Sequence, residues 1–340
     1  MAIIITLFNH KGGVGKTTLT YNLGYTLAKL GQKVLMIDAD PQCNLTEFSI
    51  GIEKLEQDII SGVIKYTIYD FFLHDIRPSQ QKNNDIHPEF YSVQNNLDLL
   101  AGSIDFAEMD SDIGLAISGL QALRYIPVAV YRKLQSVAKN YDYIFVDLSP
   151  ALSPTNQLFL KMSDYFITPV FPGIFCLQAL KNLEKIFKKW NRDLSSFELE
   201  GFKTVLPKYL GMVFQNYRPY TRNDEKDTKS AKRFNEDKER LNQEVINLAS
   251  KLSGFDMAVD ETEFKRLFEG KIPYTIAEIP DYNQLKMIAE DSKLPVIALD
   301  NKILNKNGIS TPQYIEKRDE FITTHDNIAN GLIKLKTVAN

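Results

Sequence analysis

Residues 9–18 read NHKGGVGKTT, and this stretch decides the fold. Before it, residues 2–8 (AIIITLF) form a continuous apolar, largely β-branched run, which is typical of a strand buried on both faces. After it, residues 16–30 have a helical pattern, and residues 33–37 (KVLMI) predict a second strand. A strand, a glycine-rich loop, a helix and another strand predict parallel pairing. We therefore expect an α/β fold with a doubly wound, mostly parallel sheet flanked by helices.

The rest of the chain extends this pattern without an internal repeat. We expect inserted or flexible segments near residues 52–94 and 218–262, where polar turns and a dense run of charges interrupt the pattern. Neither segment divides the chain, so we expect one domain over residues 1–340. Five further apolar runs predict strands: 97–100, 143–146, 165–170, 210–214 and 295–299.

The glycine-rich loop has the residue types that bind phosphate. Such a loop needs glycines so that backbone N–H groups can turn inward, a lysine for the β and γ oxygens, and a hydroxyl for Mg²⁺. Lys16 supplies the charge and Thr17 the Mg²⁺ ligand, while the helix that follows directs its positive end at the anion. We expect nucleotide contacts from Gly12, Gly13, Val14, Gly15, Lys16, Thr17 and Thr18.

The loop departs from the general P-loop pattern at two positions. His10 stands where the strict pattern has glycine, and we interpret it as a loop-lining side chain without a catalytic role. A second lysine, Lys11, precedes the glycine pair. Because no Asn-Lys-x-Asp guanine motif is found in the sequence, we expect ATP rather than GTP.

Composition excludes several classes of protein. Forty basic against 43 acidic residues give a net charge of −3, so any nucleic-acid surface must be a local patch. Two cysteines, Cys43 and Cys176, exclude a disulfide scaffold and are typical of a reducing cytosol. No run reaches 18 apolar residues, so we expect a cytoplasmic protein without a membrane anchor. Residues 327–340 predict a core-packing last helix, with a membrane or partner contact as the alternative.

The loop resembles the deviant Walker A motif of the ParA/MinD family of ATPases, the signature-lysine class. Residues 38–42 (DADPQ) and 44–46 (NLT) are similar to the family's second motif, and residues 141–149 (YDYIFVDLS) resemble its Walker B strand. Residues 150–158 resemble the loop that follows, with Asn156 in place. Further similar stretches are 67–70 (TIYD), 97–100 (LDLL), and the late pairs Ile279-Pro280 and Pro295-Val296.

The resemblance implies a P-loop NTPase fold, Mg-dependent ATP hydrolysis that is slow and partner-stimulated, and an ATP-dependent homodimer. Lys11 would reach the phosphates of the other subunit, and Lys16 those of its own. Asp40 would orient the attacking water, with a turn or helix-cap role as the alternative. Asp147 would hold Mg²⁺ through water, with simple strand-end capping as the alternative. Asp38 would either support the Mg²⁺ site from behind or cap its strand.

The adenine pocket is placed by analogy only. The resemblance puts the loop at residues 215–218 beside the base, and the amide of Asn216 suits adenine's edge. Residues 171–175 would flank the pocket, although the glutamate common in that loop of the family is absent and Gly173 occupies the region.

The resemblance also implies non-specific DNA binding and a centromere-binding or adaptor protein that stimulates hydrolysis. Many family members carry two arginines after the late Ile-Pro, but Asp281 and Gln284 stand at those places here. An amphipathic helix over residues 176–192 offers another DNA surface, with a solvated helix face as the alternative. Its basic face consists of Lys181, Lys185, Lys188, Lys189 and Arg192.

Three functions follow in order of preference. The first is a partition ATPase that moves plasmid, chromosome or other cargo, nucleoid-associated if it binds DNA. The second is a MinD-like or other positioning or assembly ATPase that acts on a membrane or a protein client. The third is a metabolic or redox enzyme of the same fold. A nitrogenase-iron-protein-like reductase would need cysteines after the second motif and after Walker B, and Asp147-Leu148-Ser149 has none.

Overall fold

The computed structural model describes residues 1–61, 66–77, 89–217, 228–268, 270, 272–308 and 312–339. Its strands are β1 Ile3–Leu7, β2 Val34–Ala39, β3 Tyr91–Gln94, β4 Leu97–Leu100, β5 Tyr143–Leu148, β6 Tyr165–Val170, β7 Lys208–Tyr217 and β8 Thr275–Pro280. They form one sheet in the order β3-β4-β2-β5-β1-β6-β7-β8. Every neighbouring pair is parallel except β3 with β4. The predicted doubly wound, mostly parallel sheet is confirmed.

Helices connect the parallel strands and flank the sheet. They are α1 Lys16–Lys29, α2 Asn44–Ser49, α3 Ile52–Ile60, α4 Ile68–Ile76, α5 Phe106–Ile117, α6 Ile126–Ala138, α7 Pro154–Met162, α8 Ile174–Ser195, α9 Thr228–Ser253, α10 Glu261–Leu267, α11 Asn283–Asp291, α12 Asn301–Lys306 and α13 Pro312–Ala339. Helix α1 packs against α13, and α8 packs against α9.

The central strands are buried along their whole length. All residues of β1, β2 and β5 are buried, as expected of parallel strands covered by helices on both faces. Aromatic rings attach α8 to this layer. The ring centroids of Phe8 and Trp190 are 5.5 Å apart, and those of Phe166 and Phe187 are 4.8 Å apart. This packing holds the second half of α8 against the sheet at β1 and β6.

The prediction of a strand at residues 295–299 is wrong. Val296–Ala298 is a single 3-10 turn, and β8 occupies the sheet edge instead. Val296 and Ile297 are buried, and the backbone N–H of Ile297 donates to Asn22 Oδ1 of α1 at 3.4 Å. A short apolar run indicates burial without distinguishing a strand from another buried segment.

The two segments expected as insertions contain packed elements. Residues 52–94 include α3, α4 and β3, and Phe71 and Phe72 of α4 are buried in the core. Of residues 218–262, the part at 218–227 lies outside the described residues. The remainder contains all of α9 and the start of α10, and Leu241 and Leu248 of α9 are buried.

The last helix packs into the core as predicted. Ile328, Leu332 and Leu335 of α13 are buried, and the Tyr143 hydroxyl donates to the Leu332 carbonyl at 3.0 Å. No single helix in the described ranges is long and apolar enough to cross a membrane. One strongly bent pair, α5 with residues 121–138, meets that criterion by length and composition only.

Candidate active site

The carboxyl ends of five neighbouring strands converge on one edge of the sheet. In the order β2-β5-β1-β6-β7, these ends place Asp38, Asp147, the loop at residues 8–15, residues 171–173 and Gln215 side by side. Ligands of open parallel sheets bind at this edge, where successive loops and helix N-termini meet. The sequence-predicted phosphate, metal and catalytic residues therefore lie in one region.

The loop takes the shape that phosphate binding requires. Gly13 and Gly15 have φ of +72° and +80°, a left-handed region that favours glycine. Helix α1 begins directly afterwards at Lys16. Gly12 and Gly13 are exposed, Val14 is buried, and Thr17 and Thr18 are half-buried.

Asn9 organises the start of the loop. It is fully buried, and its amide donates to the Pro169 carbonyl of β6 at 2.8 Å. Its side-chain oxygen accepts the backbone N–H of Lys11 at 2.9 Å, and its carbonyl accepts the Lys16 ammonium at 3.3 Å. Asn9 thus contacts the backbone of Lys11 and the side chain of Lys16.

Lys16 is a buried cation inside the loop. Its residue is 7% exposed, and burial lowers the pKa of its ammonium. The negative charges of Asp147 and Asp40 oppose that shift. A desolvated ammonium at a helix N-terminus, with glycine N–H groups beside it, is suited to bind phosphate oxygens.

Asp147 has the environment of a cation ligand. The residue is 1% exposed, and neither carboxylate oxygen has a hydrogen-bond partner of normal geometry among the described residues. Burial and, to a lesser extent, the neighbouring charge of Asp38 raise the pKa of Asp147 to about 8, although the nearby Thr17 hydroxyl opposes the rise. A buried carboxylate without donors is costly unless a cation compensates it. Thr17 and Asp147 therefore fit Mg²⁺, which prefers oxygen ligands.

The Asp38 carboxylate accepts hydrogen bonds from the protein itself. Its Oδ2 accepts the Thr46 backbone N–H at 2.8 Å and the Thr46 hydroxyl at 2.7 Å. The Gly102 N–H in turn donates to the same hydroxyl at 2.8 Å. Burial raises the pKa of Asp38 to about 7, and these hydrogen bonds oppose that rise. The residue thus ties the end of β2 to α2, an arrangement that suits a supporting role behind the cation.

Asp40 lies in the turn that follows β2. Its Oδ1 accepts the Gln42 backbone N–H at 2.9 Å, and its carbonyl accepts the Cys43 N–H at 2.9 Å. The turn role considered from sequence is therefore present, and the buried carboxylate still lies near enough to affect Lys16. Burial raises the pKa of the Cys43 thiol to about 12, so this neighbour is a protonated, weakly nucleophilic thiol.

Lys11 lies on the outer side of the loop. Its ammonium is 5.3 Å from the ring centroid of Phe175, at the start of α8. The Phe175 side chain is unusually open for an aromatic residue, with 64% of the residue exposed. Lys11 is therefore held at a solvent-facing apolar ring rather than within its own loop.

Several hydrogen bonds and one ion pair stabilise the segments around the site. The Asn156 amide donates to the Ser149 and Ala151 carbonyls at 2.9 and 2.6 Å, which fixes the loop after β5. Lys293, after α11, forms an ion pair with Glu47 of α2. The Lys293 carbonyl accepts the Tyr21 hydroxyl at 3.1 Å.

Several site residues have no role predicted from the sequence, and one predicted side chain lies outside the residues that the structure describes. The structure adds Asn9, Thr46 and Gln215 as residues that shape the site. Each lies within a stretch that the sequence analysis singled out, but none of them has a role assigned there. The side chain of Asn216, expected at adenine, lies outside the part of the chain that the structure describes. His10 is half-buried, and both burial and the charge of Lys16 lower the pKa of its imidazole.

The fold and the loop define a P-loop nucleotide-binding protein with an additional lysine before the glycine pair. Residues 2–198 match a family model described as an AAA domain. The sporulation initiation inhibitor protein Soj of Bacillus subtilis is 33% identical over 198 residues, which cover 57% of this chain and 70% of Soj. The chain belongs to the ParA/MinD family of P-loop ATPases, close to the partition ATPases.

Solved structures share the fold over nearly the whole chain. A candidate plasmid partition protein of Borrelia burgdorferi B31, bound to AMPPNP, has a TM-score of 0.58 at 21% identity and covers 98% of this chain and 99% of its own. The ATP complex of a Cyanothece McdA variant has a TM-score of 0.57 at 17% identity, with 95% and 96% covered.

Proposed function

We propose that this chain is a Mg²⁺-dependent ATPase switch that dimerises on ATP and uses hydrolysis to segregate or position plasmid, chromosome or other cargo. The observation that carries the proposal is the separation of two lysines of one loop. Lys16 is buried within the loop, whereas Lys11 lies on its outer side over Phe175. A cation in that position is available to the phosphates of a second subunit. The Borrelia protein bound to AMPPNP and the McdA variant bound to ATP share this fold, which supports nucleotide binding by this chain.

The chemistry follows from the residues at the edge of the sheet. Lys16 and the loop N–H groups bind the β and γ phosphate oxygens, and Thr17 and Asp147 hold Mg²⁺, which neutralises phosphate charge. Asp40 orients the attacking water by accepting a hydrogen bond from it. Lys11 supplies positive charge to the partner's phosphates, an effect worth ~10³–10⁵ in rate when a cation is delivered in trans. ATP therefore holds the dimer together, and hydrolysis releases it.

The client surface that we favour is the basic face of α8, acting on DNA without sequence preference. All five basic residues of that face are exposed. Lys188 pairs with Glu184 at 2.6 Å and Lys189 with Asp193 at 3.5 Å, whereas no ion pair is recorded within the described ranges for the other three. Those three are Lys181, Lys185 and Arg192. A centromere-binding or adaptor protein would then stimulate hydrolysis of the DNA-bound form.

A second candidate is a positioning ATPase with a membrane or protein client and no DNA. The observation that favours it lies around α11, where the family's late arginines are replaced by Asp281 and Gln284. Lys286 pairs with Glu290 at 3.8 Å and Lys293 pairs with Glu47, so part of the nearby positive charge is neutralised.

The experiment that tests the proposal is binding to random-sequence duplex DNA in ATP and in ADP, at two salt concentrations. Lys11→Ala is compared with Lys302→Ala, an exposed lysine on α12. We expect binding that needs ATP and Lys11, falls steeply with salt and is unaffected in the control. Dimerisation on ATP without DNA binding would instead favour the second candidate. Failure of the wild type to dimerise on ATP would contradict the switch itself.

A further inference from the structure

Gln215 contacts the phosphate loop from the side opposite the acidic residues. It lies near the carboxyl end of β7, two strands from β1. A β-carbon placed on Gly15 would lie 3.2 Å from Cδ of Gln215 and 3.3 Å from its Cγ and Oε1. The amide therefore packs directly against the loop backbone, one residue before Lys16.

The amide nitrogen of Gln215 is buried without an acceptor. The residue is 6% exposed, and its Nε2 has no hydrogen-bond partner among the described residues. A buried donor without an acceptor is unfavourable, because it has lost its hydrogen bonds to water. Its position against the loop indicates that the acceptor is supplied by what the loop binds.

The strand order indicates which part of the nucleotide supplies that acceptor. Asp38 and Asp147 lie at the ends of β2 and β5, on one side of β1, whereas Gln215 lies on the other side, beyond β6. The phosphate that reacts must face the metal and water ligands. Gln215 then faces the part of the nucleotide that remains after hydrolysis.

We propose that Gln215 is a nucleotide-recognition residue, whose Nε2 donates a hydrogen bond to an oxygen of the portion that ATP and ADP share. The inference rests on the proposed function, because it needs a nucleotide in this loop. A neutral donor on the side away from the reacting phosphate retains the nucleotide without distinguishing ATP from ADP. Gln215 thus contributes to affinity for both states of the switch.

The test uses Gln215→Met, which keeps the length of the side chain and its packing on Gly15 but removes the donor. Tyr209→Phe is the matched control, because Tyr209 is also buried on β7 with a hydroxyl that has no partner of normal geometry in the described ranges. The measurements are the Kd for ATP and for ADP in competition with a fluorescent nucleotide, the thermal unfolding of the nucleotide-free chain, and KM with kcat.

We expect Gln215→Met to weaken ATP and ADP binding equally, by about tenfold, a change in the range of one lost hydrogen bond. The loss should fall on KM rather than kcat, and the nucleotide-free variant should unfold at an equal or higher temperature because an unpaired donor is gone. Tyr209→Phe should leave both Kd values unchanged.

Three results would overturn the inference: wild-type Kd values in Gln215→Met, a loss confined to ATP, or a loss matched by Tyr209→Phe. Lys16→Ala separates this inference from the proposed function. If the wild type binds nucleotide through Lys16 while Gln215→Met is unaffected, only the Gln215 assignment fails. If the wild type binds neither nucleotide, the proposed function fails with it.

Discussion

Asp38 and Asp147 are direct neighbours across the β2–β5 pair, and both carboxylates are buried. Chiefly because of burial, the pKa of Asp38 is raised to about 7 and that of Asp147 to about 8. The charge of Asp38 also raises the pKa of Asp147, and the charge of Asp40 raises that of Asp38. Only Asp38 has hydrogen-bond donors of normal geometry in the described part, chiefly from Thr46. The two carboxylates have different roles: Asp38 is held by the protein, and Asp147 is left for a cation.

The first prediction concerns Asp147→Asn in metal-free and nucleotide-free protein. The folded wild type holds protons that the unfolded chain releases, so its stability should fall as pH rises from about 4 towards 8. Asparagine keeps the shape without the titration, so the variant should be more stable than wild type near pH 8.5 and lose Mg²⁺-dependent hydrolysis. Thermal unfolding at pH 6 and 8.5 measures this, with Asp105→Asn, at an exposed position before α5, as a surface control. Equal pH slopes for variant and wild type would refute it.

The second prediction concerns Thr46, whose hydroxyl connects Asp38 to the Gly102 N–H. Thr46→Val keeps the shape but leaves that buried N–H without its acceptor, which should cost about 1–3 kcal/mol of the free energy of unfolding. Thr46→Ser retains the hydroxyl and should lose much less. Urea unfolding of both variants, with ATP turnover measured alongside, checks this. Similar losses in the two variants would contradict a specific contribution of the hydroxyl.

The third prediction concerns acid stability and His325. This side chain is fully buried on α13, its Nδ1 lies 2.8 Å from the Phe321 carbonyl, and burial lowers the pKa of the imidazole to about 4. The unfolded chain binds the extra proton first, so this contribution to stability is complete above about pH 6.5 and is lost as pH falls towards 4. Between about pH 4 and 6.5, this histidine should make the free energy of unfolding fall by up to about 1.4 kcal/mol for each pH unit of acidification.

His325→Leu should abolish this contribution to the loss of stability in acid. His74→Gln serves as the matched control, because His74 on α4 is half-buried. The measurement is the free energy of unfolding at intervals between pH 4 and 7. An unchanged slope in His325→Leu would show that carboxylates alone cause the acid transition.

The fourth prediction concerns the basic face of α8. Lys185→Glu combined with Lys189→Glu should weaken ATP-dependent DNA binding by about tenfold or more and reduce its salt dependence. Lys302→Glu with Lys306→Glu makes the same charge change on α12. Filter binding at several salt concentrations measures both. Unchanged affinity of the α8 variant at low salt would remove this helix as the DNA surface.

The sequence predicts the central sheet because its burial leaves a clear pattern. Strands β1, β2, β5 and β6 are mostly apolar, and the strand–loop–helix–strand order at the start of the chain predicts parallel pairing. The edges are harder, because β3 and β8 contain polar residues and half-buried positions. Residues 295–299 are more apolar than β8, and yet they pack against α1 as a turn.

Within the site, the sequence reveals residues that belong to a motif and misses contacts that arise only from the fold. Lys16 is identifiable because phosphate binding requires a lysine at that place in the loop, whereas the roles of Lys11 and Asp147 are implied by the family resemblance. Gln215 has no such signature, because its role depends on β7 approaching Gly15 across two strands. Phe175 likewise acquires its contact with Lys11 only through the packing of α8 on the sheet.

The ion pair between Glu47 and Lys293 connects distant parts of the chain. Glu47 follows Thr46, the residue bonded to Asp38, and Lys293 follows α11 near the far end of the sequence. A displacement of α2 when the phosphate end of the nucleotide changes would therefore be transmitted to α11 through one electrostatic link. A client docked on α11 would then respond to the bound nucleotide without contacting it. The strength of the Glu47–Lys293 ion pair would set the size of that response.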